Sequence, residues 1–107
     1  MTIFNSRDEK YKSPFGAVSC GTAVSFTVTP GPDYCACALV TFGEFAGCRE
    51  ETPLTPCPDG FSGIFAAPAD AELVWYTFRL TRRDGGCVFL GRNGLGDAAD
   101  RQPWQLT

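Results

Sequence analysis

The stretch Glu72-Leu73-Val74-Trp75-Tyr76-Thr77-Phe78-Arg79-Leu80-Thr81-Arg82 decides the fold class. In an extended chain successive side chains point to opposite faces. Val74, Tyr76, Phe78 and Leu80 therefore share one face, and Leu73, Trp75, Thr77, Arg79 and Thr81 share the other. A long run of β-branched and aromatic residues suits a strand at the centre of a sheet. Arg83-Asp84-Gly85-Gly86 then reverses the chain as a hairpin, and Cys87 to Leu90 pairs back.

The same period of two recurs to either side. From Thr22 to Thr29, Val24, Phe26 and Val28 fall on one face, with Ala23, Ser25, Thr27 and Thr29 on the other. Pro30-Gly31-Pro32-Asp33 breaks this strand. Tyr34 to Phe42 has little polar content, which predicts a central strand, and Gly43 to Gly47 turns the chain. Cys48 to Thr55 carries Arg49, Glu50, Glu51 and Pro53 and reads as one edge strand. Pro58-Asp59-Gly60 is a turn signature, Phe61 to Ala66 a strand, and Pro68-Ala69-Asp70-Ala71 an interruption. Gly91 to Gly96 reads as a loose loop with Asn93-Gly94 as a turn pair, and Gln102 to Thr107 as a last strand. Residues 1–19 form a lead-in along the sandwich edge, anchored by Phe4, Tyr11 and Phe15. No segment keeps a helical period. About seven antiparallel strands at roughly ten-residue spacing predict an all-β, immunoglobulin-like (early-set type) two-sheet sandwich, with a small closed barrel as the alternative.

Composition agrees with one such domain. The chain has 107 residues, 44% hydrophobic and 20% charged, with twelve Gly and eight Pro. That is ordinary for a soluble globular protein and rich in turns. The net charge of −3 and the scattered basic residues argue against a nucleic-acid partner, which needs a basic footprint. The one basic cluster, Arg79, Arg82 and Arg83, falls at a strand end and its turn. No apolar run approaches the ~20 residues that span a bilayer. The first residues lack the apolar stretch of a secretion signal, so the expected compartment is the cytoplasm.

Six cysteines, at 20, 35, 37, 48, 57 and 87, permit a disulfide framework, a metal site or reduced thiols. A cytoplasmic chain favours reduced thiols in or near the core. Cys35 and Cys37 then align with Leu39 in one apolar row, and Cys57, between Pro56 and Pro58, is expected to be exposed. The chain has no histidine, so a catalytic cysteine lacks its usual base and a zinc site its usual mixed ligands. No cofactor or metal is implied. Glu50 and Glu51 point to opposite faces of a strand and make no acid pair; Asp97 and Asp100 read as surface acids in a loop. Gly91 to Gly96 precedes no helix and makes no phosphate loop.

Several segments together resemble one family. They are Tyr11-Lys12-Ser13-Pro14-Phe15-Gly16-Ala17-Val18 with Cys20-Gly21-Thr22, Leu73 through Leu80, Gly94-Leu95-Gly96, and Gln102-Pro103-Trp104-Gln105-Leu106-Thr107. They are similar to the N-terminal β-sandwich of bacterial α-amylase-type enzymes of glycoside hydrolase family 13. The cysteines depart from that pattern. The resemblance implies a non-catalytic domain ahead of a catalytic barrel. Such a barrel needs about 200 residues or more, so none of its catalytic carboxylates is carried over to this chain. A chain that stops inside an apparent strand, at Trp104-Gln105-Leu106-Thr107, is expected to be a piece of a longer protein.

Three functions follow as expectations. The first is an accessory domain supporting the catalytic barrel of the same parent chain, its substrate cleft or a homodimer. The second is a carbohydrate-binding module for starch-like α-glucan oligosaccharides, with Trp75, Trp104 and Tyr76 as aromatic platforms. Trp75 is the better of these, because Tyr76 shares the face of Val74, Phe78 and Leu80. The third is a standalone protein-interaction sandwich. A metal-handling protein built on Cys35 and Cys37 stands well behind them.

Overall fold

The computed structural model describes residues 3–14, 21–43, 49–58, 60–66, 74–92, 94–96 and 103–105. Among these, every regular element is a strand and none is a helix. The strands are β1 (Lys12–Ser13), β2 (Ala23–Val28), β3 (Tyr34–Gly43), β4 (Arg49–Pro53), β5 (Thr55–Cys57), β6 (Gly60–Ala66), β7 (Val74–Arg82), β8 (Cys87–Gly91), β9 (Gly94–Gly96) and β10 (Trp104–Gln105). One sheet has four strands in the order β1-β2-β6-β5; the other has six, β4-β3-β7-β8-β9 with β10 also on β7. All pairs are antiparallel. The order is compatible with an immunoglobulin-like sandwich, whose sheets run A-B-E-D and C′-C-F-G.

The predicted alternation fills the space between the sheets. Val24, Phe26 and Val28 face Cys37, Leu39, Val74, Tyr76, Phe78, Leu80 and Leu90 in one buried cluster. β7 sits at the centre of its sheet, paired with β3 along its whole length. Its other edge is shared: Phe78 to Thr81 pair with β8, while Trp75 and Tyr76 pair with β10.

The lead-in lies along the edge formed by β2. The Thr29 N–H donates to the Ile3 carbonyl (2.9 Å), and the Thr27 N–H to the Tyr11 carbonyl (2.7 Å). Phe4 inserts between the sheets, with its ring centroid 4.7 Å from Phe78 and 5.0 Å from Trp104. Lys12 is buried; its Nζ donates to the Pro14 carbonyl (3.2 Å), and desolvation lowers its pKa.

Four expectations need correction. Cys48 to Thr55 is not one edge strand. β4 belongs to the six-stranded sheet and β5 to the four-stranded one. Pro53 has no N–H with which to extend the ladder, and the chain crosses between sheets at Leu54, whose side chain is buried beside Gly63. Gly91 to Gly96 is not loose: Gly94–Gly96 form β9 and pair back on Phe89–Gly91. Cys35 does not share a row with Cys37 and Leu39. Tyr34 pairs with Arg82 and Ala36 with Thr81, so Cys35 is the extra residue of a β-bulge and breaks the alternation. It is exposed, whereas Cys37 is buried. Cys57 is only half-exposed; Cys35 and Cys87 are the exposed thiols among the described residues. Phe15, Cys20, Cys48, Asp59, Leu73, Asn93, Asp97, Asp100 and the turn expected at 68–71 lie outside the described residues.

Candidate functional site: the outer face of the six-stranded sheet

The two outer faces of the sandwich differ in chemistry. On the four-stranded sheet the outward positions are Ala23, Ser25, Thr27, Thr55, Ser62, Ile64 and Ala66, mostly small and polar; Ile64 is the one large apolar side chain and is 69% exposed. On the six-stranded sheet the outward positions include Ala38 and Val40 of β3, Trp75, Thr77 and Arg79 of β7, and Phe89 of β8. This face is broader and carries larger side chains, with Trp75 and Phe89 half-exposed on it.

Its centre is covered by its own side chains. Arg79 on β7 and Glu51 on β4 flank β3, and Arg79 Nε lies 2.8 Å from Glu51 Oε1. The N–H is off the line of an ideal hydrogen bond, so this is chiefly a charge contact. Both side chains are more than a third exposed, and solvent screening keeps such a pair to about 0–1 kcal/mol. Its structural effect is larger. The pair bridges over β3, and Ala38 and Val40 beneath it are buried although they point outward. Thr77, opposite Val40, is also fully buried, and its Oγ1 has no hydrogen-bond partner among the described residues.

The three aromatic platforms do not assemble. Tyr76 is fully buried among Phe4, Phe26, Phe78 and Trp104, and cannot present a face to a ligand. Its hydroxyl has no partner among the described residues, and burial pushes its pKa upward. Trp104 is the register partner of Tyr76, so it shares the inner face and packs on the core. Trp75 pairs with Gln105, one position along, and so lies on the opposite side of the sheet from Trp104. Of the three, only Trp75 remains on the outer face.

A concave feature lies at the end of the sandwich that carries the β2–β3 and β7–β8 turns. It is a cavity of about 490 Å³ lined by residues that include Tyr34, Cys35, Cys57 and Arg83. The sequence signal for it was weak, because the bulge that turns Cys35 out of the core leaves no trace in composition. Among the described residues no group of three or more Cys, Asp or Glu is placed to hold a metal ion. Among the described residues no helix is long and apolar enough to cross a membrane.

Comparison of the chain with protein-family models finds no match, and comparison with curated proteins finds none either.

Proposed function

We propose that this chain is a non-catalytic accessory β-sandwich of an α-glucan-processing glycoside hydrolase of the α-amylase type. Its role is to pack against the catalytic barrel of the same parent chain through the outer face of the six-stranded sheet. The observation that supports this reading is the contrast between the two outer faces. One is mostly small and polar, with Ile64 its single large apolar side chain; the other sets Trp75 and Phe89 around an ion pair roofing Ala38 and Val40. Burying apolar surface at ~25 cal/mol per Å² drives a domain contact, and such contacts within one chain are partly polar. The segment resemblance supplies the kind of enzyme.

The native open reading frame tests the proposal directly. The expected result is a continuation past Thr107 into alternating strands and helices long enough for a barrel. A stop codon immediately after Thr107 would overturn it.

Trp75 favours a second reading, a carbohydrate-binding module. A half-exposed indole on a sheet face can stack on the apolar C–H face of a sugar. Titration with maltooligosaccharides, read by Trp fluorescence, separates the two. The accessory reading expects no change at millimolar ligand. Saturable quenching that disappears in Trp75→Ala, with the fold retained, would replace it with the module.

A further inference from the structure

Two of the described cysteines line the cavity, and they come from different sheets. Cys35 reaches it from the β-bulge at the start of β3, and Cys57 from the end of β5. The Cys35 thiol donates to the Arg82 carbonyl oxygen (3.6 Å), which orients its sulfur. Arg83 stands on the same cavity, and its Nε donates to the Pro32 carbonyl oxygen (2.6 Å). That bond fixes the guanidinium while leaving its terminal nitrogens as donors. No carboxylate pairs with Arg83 among the described residues. Tyr34 and Phe61 supply apolar wall. At about 490 Å³ the cavity falls in the range of small-molecule sites.

We propose that this cavity is a thiol–disulfide exchange site that takes a low-molecular-weight disulfide bearing carboxylates. Arg83 pairs with a carboxylate of the incoming molecule, the geometry for which a guanidinium fork is suited. Cys35, the exposed thiol, releases its proton to solvent and attacks one sulfur of the small disulfide. That S–S bond breaks, the departing thiolate takes up a proton, and a mixed disulfide is left on Cys35. The Cys57 thiolate then attacks the Cys35 sulfur and expels the second small thiol. The small disulfide is reduced to two thiols, and two protein thiols are oxidised to one Cys35–Cys57 bond. That bond joins the two sheets at this end of the sandwich. The site is independent of the accessory-domain reading, because it lies at the sandwich end and not on the outer sheet face.

The two remaining described cysteines are internal controls. Cys37 is buried, with desolvation raising its thiol to about 12. Cys87 is exposed but does not line the cavity. The experiment treats the reduced 107-residue chain with oxidised glutathione and follows each cysteine by intact mass and peptide mapping. In the wild type, the expected product is a Cys35–Cys57 disulfide. In Cys57→Ser, the expected product is a single glutathionyl group, on Cys35, formed several-fold faster than any adduct on Cys87. Arg83→Ala slows reaction with oxidised glutathione several-fold and leaves the rate with uncharged hydroxyethyl disulfide unchanged. Equal rates at Cys35 and Cys87, or no Cys35–Cys57 bond in the wild type, would overturn the exchange site. Equal slowing of both reagents by Arg83→Ala would overturn the carboxylate recognition.

Discussion

The indole of Trp104 lies over the ring of Tyr76, with centroids 5.4 Å apart and planes 22° from parallel. The two are register partners across β10 and β7, so a strand of only two residues is held to the sheet by an aromatic stack as well as by its backbone. Phe4 closes the same cluster from the lead-in, 5.0 Å from Trp104 and 6.1 Å from Tyr76. Both ends of the described chain are thus tied into one core.

Trp104 and Trp75 should therefore respond differently to truncation. Removing a large aromatic from a packed core costs about 3–5 kcal/mol. Trp104→Ala is expected to lower stability in urea denaturation by about 3 kcal/mol. Trp75→Ala, on the outer face, is expected to cost about 1 kcal/mol. Equal losses would contradict the assignment of the two indoles to opposite sides of the sheet.

The Tyr76 hydroxyl is buried without a hydrogen-bond partner among the described residues. An unsatisfied buried polar group costs about 1–3 kcal/mol. Tyr76→Phe keeps the ring and removes that cost, so it is expected to raise the denaturation midpoint, by about 1 kcal/mol in stability. A loss of similar size would mean that the hydroxyl is satisfied in solution.

Alkaline pH should weaken the fold through Cys37 and Tyr76. Desolvation raises the Cys37 thiol from an ordinary value of 9.0 to about 12, and raises Tyr76 as well. Between the unfolded and folded pKa values the unfolded chain has released a proton that the folded chain retains. Stability then falls as pH rises, by about 1.4 kcal/mol per unit for each group. For Cys37 the loss begins near pH 9.0 and continues to about pH 12. Cys37→Val, which keeps an apolar side chain in the core, is expected to flatten the slope between pH 9 and 10, below the range where tyrosine ionises. An unchanged slope would show that the Cys37 thiol is not the group responsible.

Alternation along single strands was legible in the residues themselves. The inward sets of β2 and β7, Val24-Phe26-Val28 and Val74-Tyr76-Phe78-Leu80, are buried as the period of two requires. A side chain's face depends only on its parity along an extended chain. The anchoring of the lead-in by Phe4 and Tyr11 was readable for a similar reason, since aromatics in a polar stretch seek apolar cover. The split of Cys48 to Thr55 at Leu54 was not readable, because which sheet a strand joins is set by pairing with distant partners, here Ala38 for Pro53 and Ser62 for Thr55.

By itself, then, the order of residues determined the strand class, most strand positions and the inward faces, all of which follow from local sterics and parity. Only the tertiary structure decided what each outward residue became. It placed Trp75 and Trp104 on opposite sides of one sheet, and laid Arg79 and Glu51 over β3 to bury Val40. It also set Cys35 in a bulge facing the cavity that Cys57 shares. Each of these outcomes rests on register between strands far apart in the chain. A single extra residue, such as Cys35 in its bulge, reverses the parity on which a local reading depends.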